Sequence, residues 1–189
     1  MISLPFPNKK YQIIYADPPW DYEDKKSGSP AFGGATYPTM KLEEINNMPI
    51  EKITEKDCVL FLWVTMPMLQ EGLEVIKSWG FKYRTCAFTW IKQNPSGNGI
   101  YSGLGSWTNG NAELCLFAKK GHPKRIAKNV KQIQIYPVGR HSAKPPIIRN
   151  EIVRLVGNLP RIELFARPPK DRLFEDESYK GWDLWGNEA

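Results

Sequence analysis

The stretch Tyr11-Gln12-Ile13-Ile14-Tyr15-Ala16-Asp17-Pro18-Pro19-Trp20 decides how the rest of the 189-residue chain is read. Residues 11–16 form a short run of β-branched and aromatic side chains with almost no polar alternation, the pattern of a strand covered on both faces. Asp17 ends the run, and Pro18 and Pro19 follow with fixed φ and no amide donors. Open α/β sheets bind ligands beyond the carboxyl ends of their strands, so a carboxylate is set where a ligand would lie. The stiff turn offers two acceptors, the Asp17 carboxylate and the Pro18 carbonyl. Two converging acceptors suit an NH₂ group, which carries two donors.

Similar apolar runs recur at residues 58–64, 85–91, 112–118, 161–166 and 182–185. Helical segments are predicted between them. Residues 41–47 are short and amphipathic. Residues 67–79 place Leu69, Leu73, Ile76 and Trp79 at helical spacing, with Gly80 as a stop; residues 145–156 place Ile148, Ile152 and Leu155 on one side, with Gly157 to cap the end. Strands alternating with helices predict an α/β sheet, mostly parallel, in a single domain spanning residues 1–189. Two long irregular stretches, 21–38 and 93–111, are rich in glycine. Loops of that length are usually functional or disordered.

Composition narrows the function classes. The chain is 41% hydrophobic and 12% aromatic, enough to build a packed core. Its longest apolar run, Cys58 to Val64, is far short of the roughly 20 residues of a membrane span, and the N-terminus does not resemble a signal peptide. A soluble cytoplasmic protein is expected. Cys58, Cys86 and Cys115 each lie in an apolar run and are expected to be free thiols. With only two histidines, no metal-ligand cluster is expected. The net charge is +6, and Lys and Arg crowd residues 119–154 against a single acid, Glu151. Such a balance favours a polyanionic partner, although a solvated basic face fits as well.

The turn after residue 16 suits one reaction in particular. An exocyclic nucleobase amine is a poor nucleophile because its lone pair is delocalised into the ring. Hydrogen bonds from both amine protons to Asp17 and the Pro18 carbonyl would favour a pyramidal nitrogen. Asp17 would also stabilise the positive charge that develops as the nitrogen attacks a methyl donor. Trp20, or Tyr22 or Tyr37 from the loop that follows, would stack on a base taken out of its helix.

At this point the chain resembles the MT-A70 family of adenine-N6 methyltransferases, which includes RNA-modifying subunits and bacterial and phage DNA enzymes. The resemblance runs from Ile14 to Glu188. It is carried by Asp17-Pro18-Pro19-Trp20, Tyr37-Pro38-Thr39-Met40, Phe61-Leu62-Trp63-Val64-Thr65, Gly105-Ser106-Trp107, Glu113-Leu114-Cys115-Leu116, Ser142-Ala143-Lys144-Pro145, Ile162-Glu163-Leu164-Phe165-Ala166-Arg167 and Gly186-Asn187-Glu188. The resemblance implies a Rossmann-like class I fold for S-adenosylmethionine, circularly permuted so that the catalytic strand precedes the cofactor strand. It implies Asp17, Pro18, Pro19 and Trp20 as catalytic residues. It implies Asp17, Lys144, Arg167, Asn187 and Glu188 as cofactor contacts, and accounts for the lack of a G-x-G-x-x-G loop.

Physical reasoning supports the same assignments. Lys144 beside a helix start suits the methionine carboxylate. An acid near residue 188, at the end of the last strand, is placed to accept ribose hydroxyls. The resemblance also implies that longer relatives contact the cofactor adenine from residues upstream of the catalytic strand, and Ser3, Leu4 and Pro5 are expected to replace those in part. The target strand is expected against Tyr22, Lys25, Lys26 and Tyr37 and against the basic stretch 119–140, with Arg84, Lys92 and residues 96–105 contributing. DNA is favoured over RNA, with no membrane or metal partner, and the chain is expected to act as a monomer or a homodimer. The competing readings are an RNA or cytosine methyltransferase and a catalytically silent nucleic-acid-binding subunit.

Overall fold

The computed structural model describes residues 5–21, 38–103, 105, 107–140, 142–168 and 177–186. In chain order the elements are β1 (Tyr11–Ala16), α1 (Leu42–Asn46), β2 (Thr54–Val64), α2 (Leu69–Ser78), β3 (Lys82–Gln93), β4 (Ala112–Lys120), β5 (Ile133–Pro137), α3 (Ile147–Val156), β6 (Arg161–Leu164) and β7 (Asp183–Trp185). The strands form one mixed sheet in the order β5-β3-β4-β2-β1-β6-β7. β4 runs antiparallel to both of its neighbours, and the other pairings are parallel. The mostly parallel α/β sheet expected from the sequence is therefore observed.

Side-chain alternation explains why helices cover both faces. Ile14 and Ala16 of β1, with Leu60, Leu62 and Val64 of β2, join Ile45 of α1 and Val75 and Ile76 of α2 in one core. Ile13 and Tyr15, with Phe61 and Trp63, join Ile148, Ile152 and Val156 of α3 in the other. Trp63 and Trp79 are fully buried. Each contributes about 5 kcal/mol of gross transfer free energy at 25 cal/mol per Å².

The differences from expectation have local causes. β2 and β3 begin before their apolar runs, because backbone pairing continues whatever the side chains, through Tyr11↔Thr54 for β2 and through Lys82↔Lys119 for β3. β6 stops at Leu164 because Phe165 adopts φ +63, which takes the chain out of the ladder. β5 was not anticipated. It is a five-residue edge strand whose Ile133 and Ile135 are exposed, so no buried apolar run marks it. Among the described residues, no helix is long and apolar enough to cross a membrane and no group of three His, Cys, Asp or Glu could hold a metal.

Candidate active site

The sheet order creates one special crevice. From β1 the chain crosses through α1 to β2 on one side; from β6 it proceeds to β7 on the other. β1 and β6 are parallel neighbours, with Ala16 opposite Leu164. The connections diverge at their carboxyl ends, which makes this the topological switch point where open α/β sheets hold ligands. Asp17 follows β1 at that point, and Phe165, Ala166 and Arg167 follow β6. The strained φ of Phe165, a bulky residue in the left-handed region, lies there as well. The ends of β6 and β7 are drawn close, with the Ala166 amide donating to the Trp185 carbonyl at 3.1 Å.

Five charged side chains meet at this edge in an alternating series. Lys92 Nζ lies 2.6 Å from Glu113 Oε1, and Glu113 Oε2 lies 3.3 Å from Lys144 Nζ. Lys144 Nζ donates to Asp17 Oδ2 at 2.8 Å, and Arg167 Nη2 approaches the same oxygen at 3.7 Å. The Asp17 and Glu113 side chains are only 17% and 13% exposed. Burial pushes the Asp17 carboxyl above its ordinary value, against the pull of Lys144 and Arg167. Burial acts the same way on Glu113, but there Lys144 and Lys92 together outweigh it and hold the carboxyl below its ordinary value. Both cations gather on Oδ2 of Asp17.

The turn after Asp17 is built on Trp20. Its amide donates to the Pro18 carbonyl at 2.9 Å, and its indole donates to the Trp63 carbonyl at 3.2 Å. Pro19 accepts from the Met40 amide at 2.8 Å. Pro18, expected as an amine acceptor, thus spends one lone pair on Trp20 and keeps the second. Trp20 itself is 5% exposed and packed in the core. The expectation that it stacks on the base is corrected: it is the support of the turn. Trp63 is a second support, its indole donating to the Tyr15 hydroxyl at 2.6 Å and its ring lying 5.7 Å beneath Lys144 Nζ.

Of the residues expected from the sequence, Asp17, Lys144 and Arg167 are brought together. Tyr22, Lys25, Lys26, Tyr37, Asn187, Glu188, Ser3 and Leu4 lie outside the described residues. Phe6 stacks on Trp185 at the end of β7, with ring centroids 4.5 Å apart. Arg140 reaches the site by donating to the Arg167 carbonyl at 3.1 Å. The rest of the basic stretch does not. Because β4 is reversed, Lys119 and Lys120 pair with the start of β2, and residues 121–132 lie at the opposite edge of the sheet. Arg84, near the start of β3, is at that far edge too. Glu113 was missed as a site residue. Its signal was an acid inside the apolar run of β4. Lys92, expected against the target strand, is its ion-pair partner.

The arrangement is that of an α/β protein with a carboxylate on a turn at the switch point and two cations, Lys144 and Arg167, against it. The MT-A70 family model matches residues 11–188. The chain is 38% identical to the type II methyltransferase M.MunI of a Mycoplasma species, over 96% of this chain and 79% of that protein. It is 32% identical to the N(6)-adenosine-methyltransferase catalytic subunit METTL3 of Homo sapiens and 31% identical to the MT-A70-like N(6)-adenosine-methyltransferase of Drosophila melanogaster. Each of these matches covers 84% of this chain but only about a quarter of the longer protein. The chain belongs to the MT-A70 family.

Proposed function

We propose that this protein transfers a methyl group from S-adenosylmethionine to the exocyclic 6-amino group of adenine in DNA. The observation that carries the reading is Asp17, fixed at the β1/β6 switch point with its Oδ2 held by Lys144. The 38% match to a type II methyltransferase favours DNA, and the relatives named for N(6)-adenosine favour adenine over cytosine.

The residues present fit a cofactor with an amino-acid end. Lys144, Arg167 and Arg140 supply positive charge for a carboxylate, and buried Trp185 Nε1, at the end of β7, has no hydrogen-bond partner among the described residues. Asn187 and Glu188 are assigned to the ribose from the sequence. S-adenosylmethionine supplies the electrophilic methyl group. The Asp17 carboxylate and the free lone pair of the Pro18 carbonyl would accept hydrogen bonds from the two amine N–H groups, which favours a pyramidal nitrogen with its lone pair available for attack. The carboxylate then stabilises the charge that grows on nitrogen and is the base nearest the proton shed after transfer. Trp20 and Trp63 hold the turn still. Tyr22 and Tyr37, with Lys25 and Lys26, are assigned to base and strand.

The same reading makes the chain a single domain of the class I methyltransferase type, permuted so that the β1 strand precedes the cofactor strand β6. The strand order β2-β1-β6-β7, with one reversed strand beyond β2, supports it. The test is incubation with labelled S-adenosylmethionine and unmethylated DNA or matched RNA, beside Asp17→Ala, with the nucleosides identified by mass. N6-methyldeoxyadenosine made only by the wild type is expected. N6-methyladenosine from RNA alone would move the substrate to RNA. The absence of both product and cofactor binding would favour a silent subunit.

A further inference from the structure

Six of the seven tryptophans are 7% exposed or less, whereas Trp107 is 98% exposed. It stands on the loop between β3 and β4, which emerges from the same edge of the sheet as Asp17. The loop is tied down at its base. The Lys92 amide donates to the Asn111 carbonyl at 2.9 Å, and the Tyr101 amide donates to the Lys92 carbonyl at 2.8 Å. Above that, Gly103 and Gly110 exchange backbone hydrogen bonds of 3.0 and 3.1 Å and close a short hairpin with Trp107 near its tip. Glycine is required for this shape. A Cβ on Gly103 would stand 2.7 Å from the Gly110 carbonyl oxygen, and one on Gly105 would collide with that of Thr108. The loop therefore spends two glycines and a backbone pairing on holding a large apolar ring in water, where it gains nothing from the core.

We propose that Trp107 is a nucleic-acid contact that stacks on a base next to the adenine drawn into the site. This rests on the reading that the substrate is nucleic acid. Extracting a base leaves its neighbours unstacked, and an apolar wedge offsets that loss. The surroundings favour a base over a protein partner. Thr108 and Asn109 beside the ring are polar and exposed, and among the described residues of this loop only Ile100 is another exposed large apolar side chain. A stable protein interface needs about 800 Å² on each partner with an apolar centre. A single flat ring suits a single base face.

The test uses the full chain with unmethylated genomic DNA, comparing wild type, Trp107→Ala and Trp107→Phe. Methylation kinetics, DNA binding, S-adenosylmethionine binding, circular dichroism and light scattering are read together. The expected result is a roughly tenfold or greater rise in the KM and Kd for DNA with Trp107→Ala. Cofactor affinity and circular dichroism stay unchanged, and Trp107→Phe stays within about threefold of wild type. Unchanged DNA binding and kinetics in Trp107→Ala would overturn the proposal. So would a shift from dimer to monomer in that variant, which would make the ring a contact between copies. If the wild type binds DNA but does not methylate it, the methylation reading fails and the proposal is decided on binding alone. A wild type that neither binds nor methylates DNA overturns both.

Discussion

Lys144 Nζ lies 2.8 Å from Asp17 Oδ2 and 3.3 Å from Glu113 Oε2, so one ammonium bridges two carboxylates that come from β1 and β4. The bridge lets two buried acids share one edge of the sheet. It also orients Asp17, because the cation holds one oxygen of its carboxylate.

Lys144→Gln removes that bridge. The charged form of Asp17 then loses its main favourable partner while burial and Glu113 still oppose it, so its pKa rises further. If ionised Asp17 is the working form, the acidic limb of the kcat/KM profile for DNA moves to higher pH in the variant. A fall in rate with no movement of that limb would assign Lys144 to cofactor binding alone.

Asp17→Asn separates stability from activity. Burial raises the Asp17 carboxyl in the fold above its unfolded value, so between the two values the folded protein binds more protons. Its contribution to stability therefore falls as pH rises through that window. The variant lacks this loss, so its thermal midpoint relative to wild type rises with pH, by about 2–4 °C for each kcal/mol. Methylation falls by a factor on the order of 10² or more, as for removal of other preorganised polar groups. Glu113→Gln runs the other way. The Glu113 carboxyl is held low by Lys144 and Lys92, so its stabilisation is present above the ordinary carboxylate range. It is lost as pH falls through the folded value, and the variant's deficit at neutral pH shrinks in acid.

Much of this site was legible because its parts are short and local. A run of buried side chains followed by Asp-Pro-Pro marks a strand end and a carboxylate together, and the periodicity of residues 69–79 marks the helix that covers one face. Lys144 and Arg167 were found through a family pattern rather than through spacing. The ion pairs that join Lys92, Glu113, Lys144 and Asp17 connect residues up to 127 apart in sequence, and nothing in local periodicity encodes them. The reversal of β4 was equally hidden, since parallel and antiparallel strands buried on both faces have the same apolar pattern. That reversal sends the basic residues 119–131 away from the site that their charge had suggested. Trp20 read as a stacking residue because the sequence shows an aromatic beside a carboxylate, but not which way its ring turns.

Glu163→Gln tests the link between the site and α3. Glu163 on β6 receives Arg149 of α3 at 2.6 and 2.8 Å, both residues are buried, and the guanidinium lies 3.8 Å from the Tyr179 ring centroid. Removing one partner leaves a buried cation underpaired and is expected to cost about 3–5 kcal/mol by denaturant unfolding. Replacing the pair together by Arg149→Met and Glu163→Leu recovers much of that loss. If Glu163→Gln costs less than the double variant, the pair is not what holds α3 to the sheet.

Thiol labelling checks the packing of the sheet. Cys58 and Cys115 are buried, and burial pushes the Cys58 thiol up to about 12 and the Cys115 thiol upward as well. Cys86 is half-buried. With a small disulfide reagent at pH 8, the native protein is expected to release at most one equivalent rapidly and all three after denaturation. Rapid release of two or three would mean that β2 or β4 opens.

Gly186→Ala tests the close approach of β6 and β7. A Cβ there would stand 3.0 Å from the Ala166 amide nitrogen and from the Phe165 Cα and carbonyl carbon, all backbone atoms that no rotamer change can move aside. The strand ends must separate by a few tenths of an ångström, which strains the hydrogen bond from Ala166 to the Trp185 carbonyl and shifts Arg167 relative to Asp17. Small displacements of positioned groups cost rate heavily. Calorimetry is expected to show weaker S-adenosylmethionine binding in this variant, with a thermal midpoint a few degrees lower because Phe165 and Trp185 beside it belong to one core. Cofactor affinity equal to wild type would mean that the joined ends of β6 and β7 do not border the cofactor.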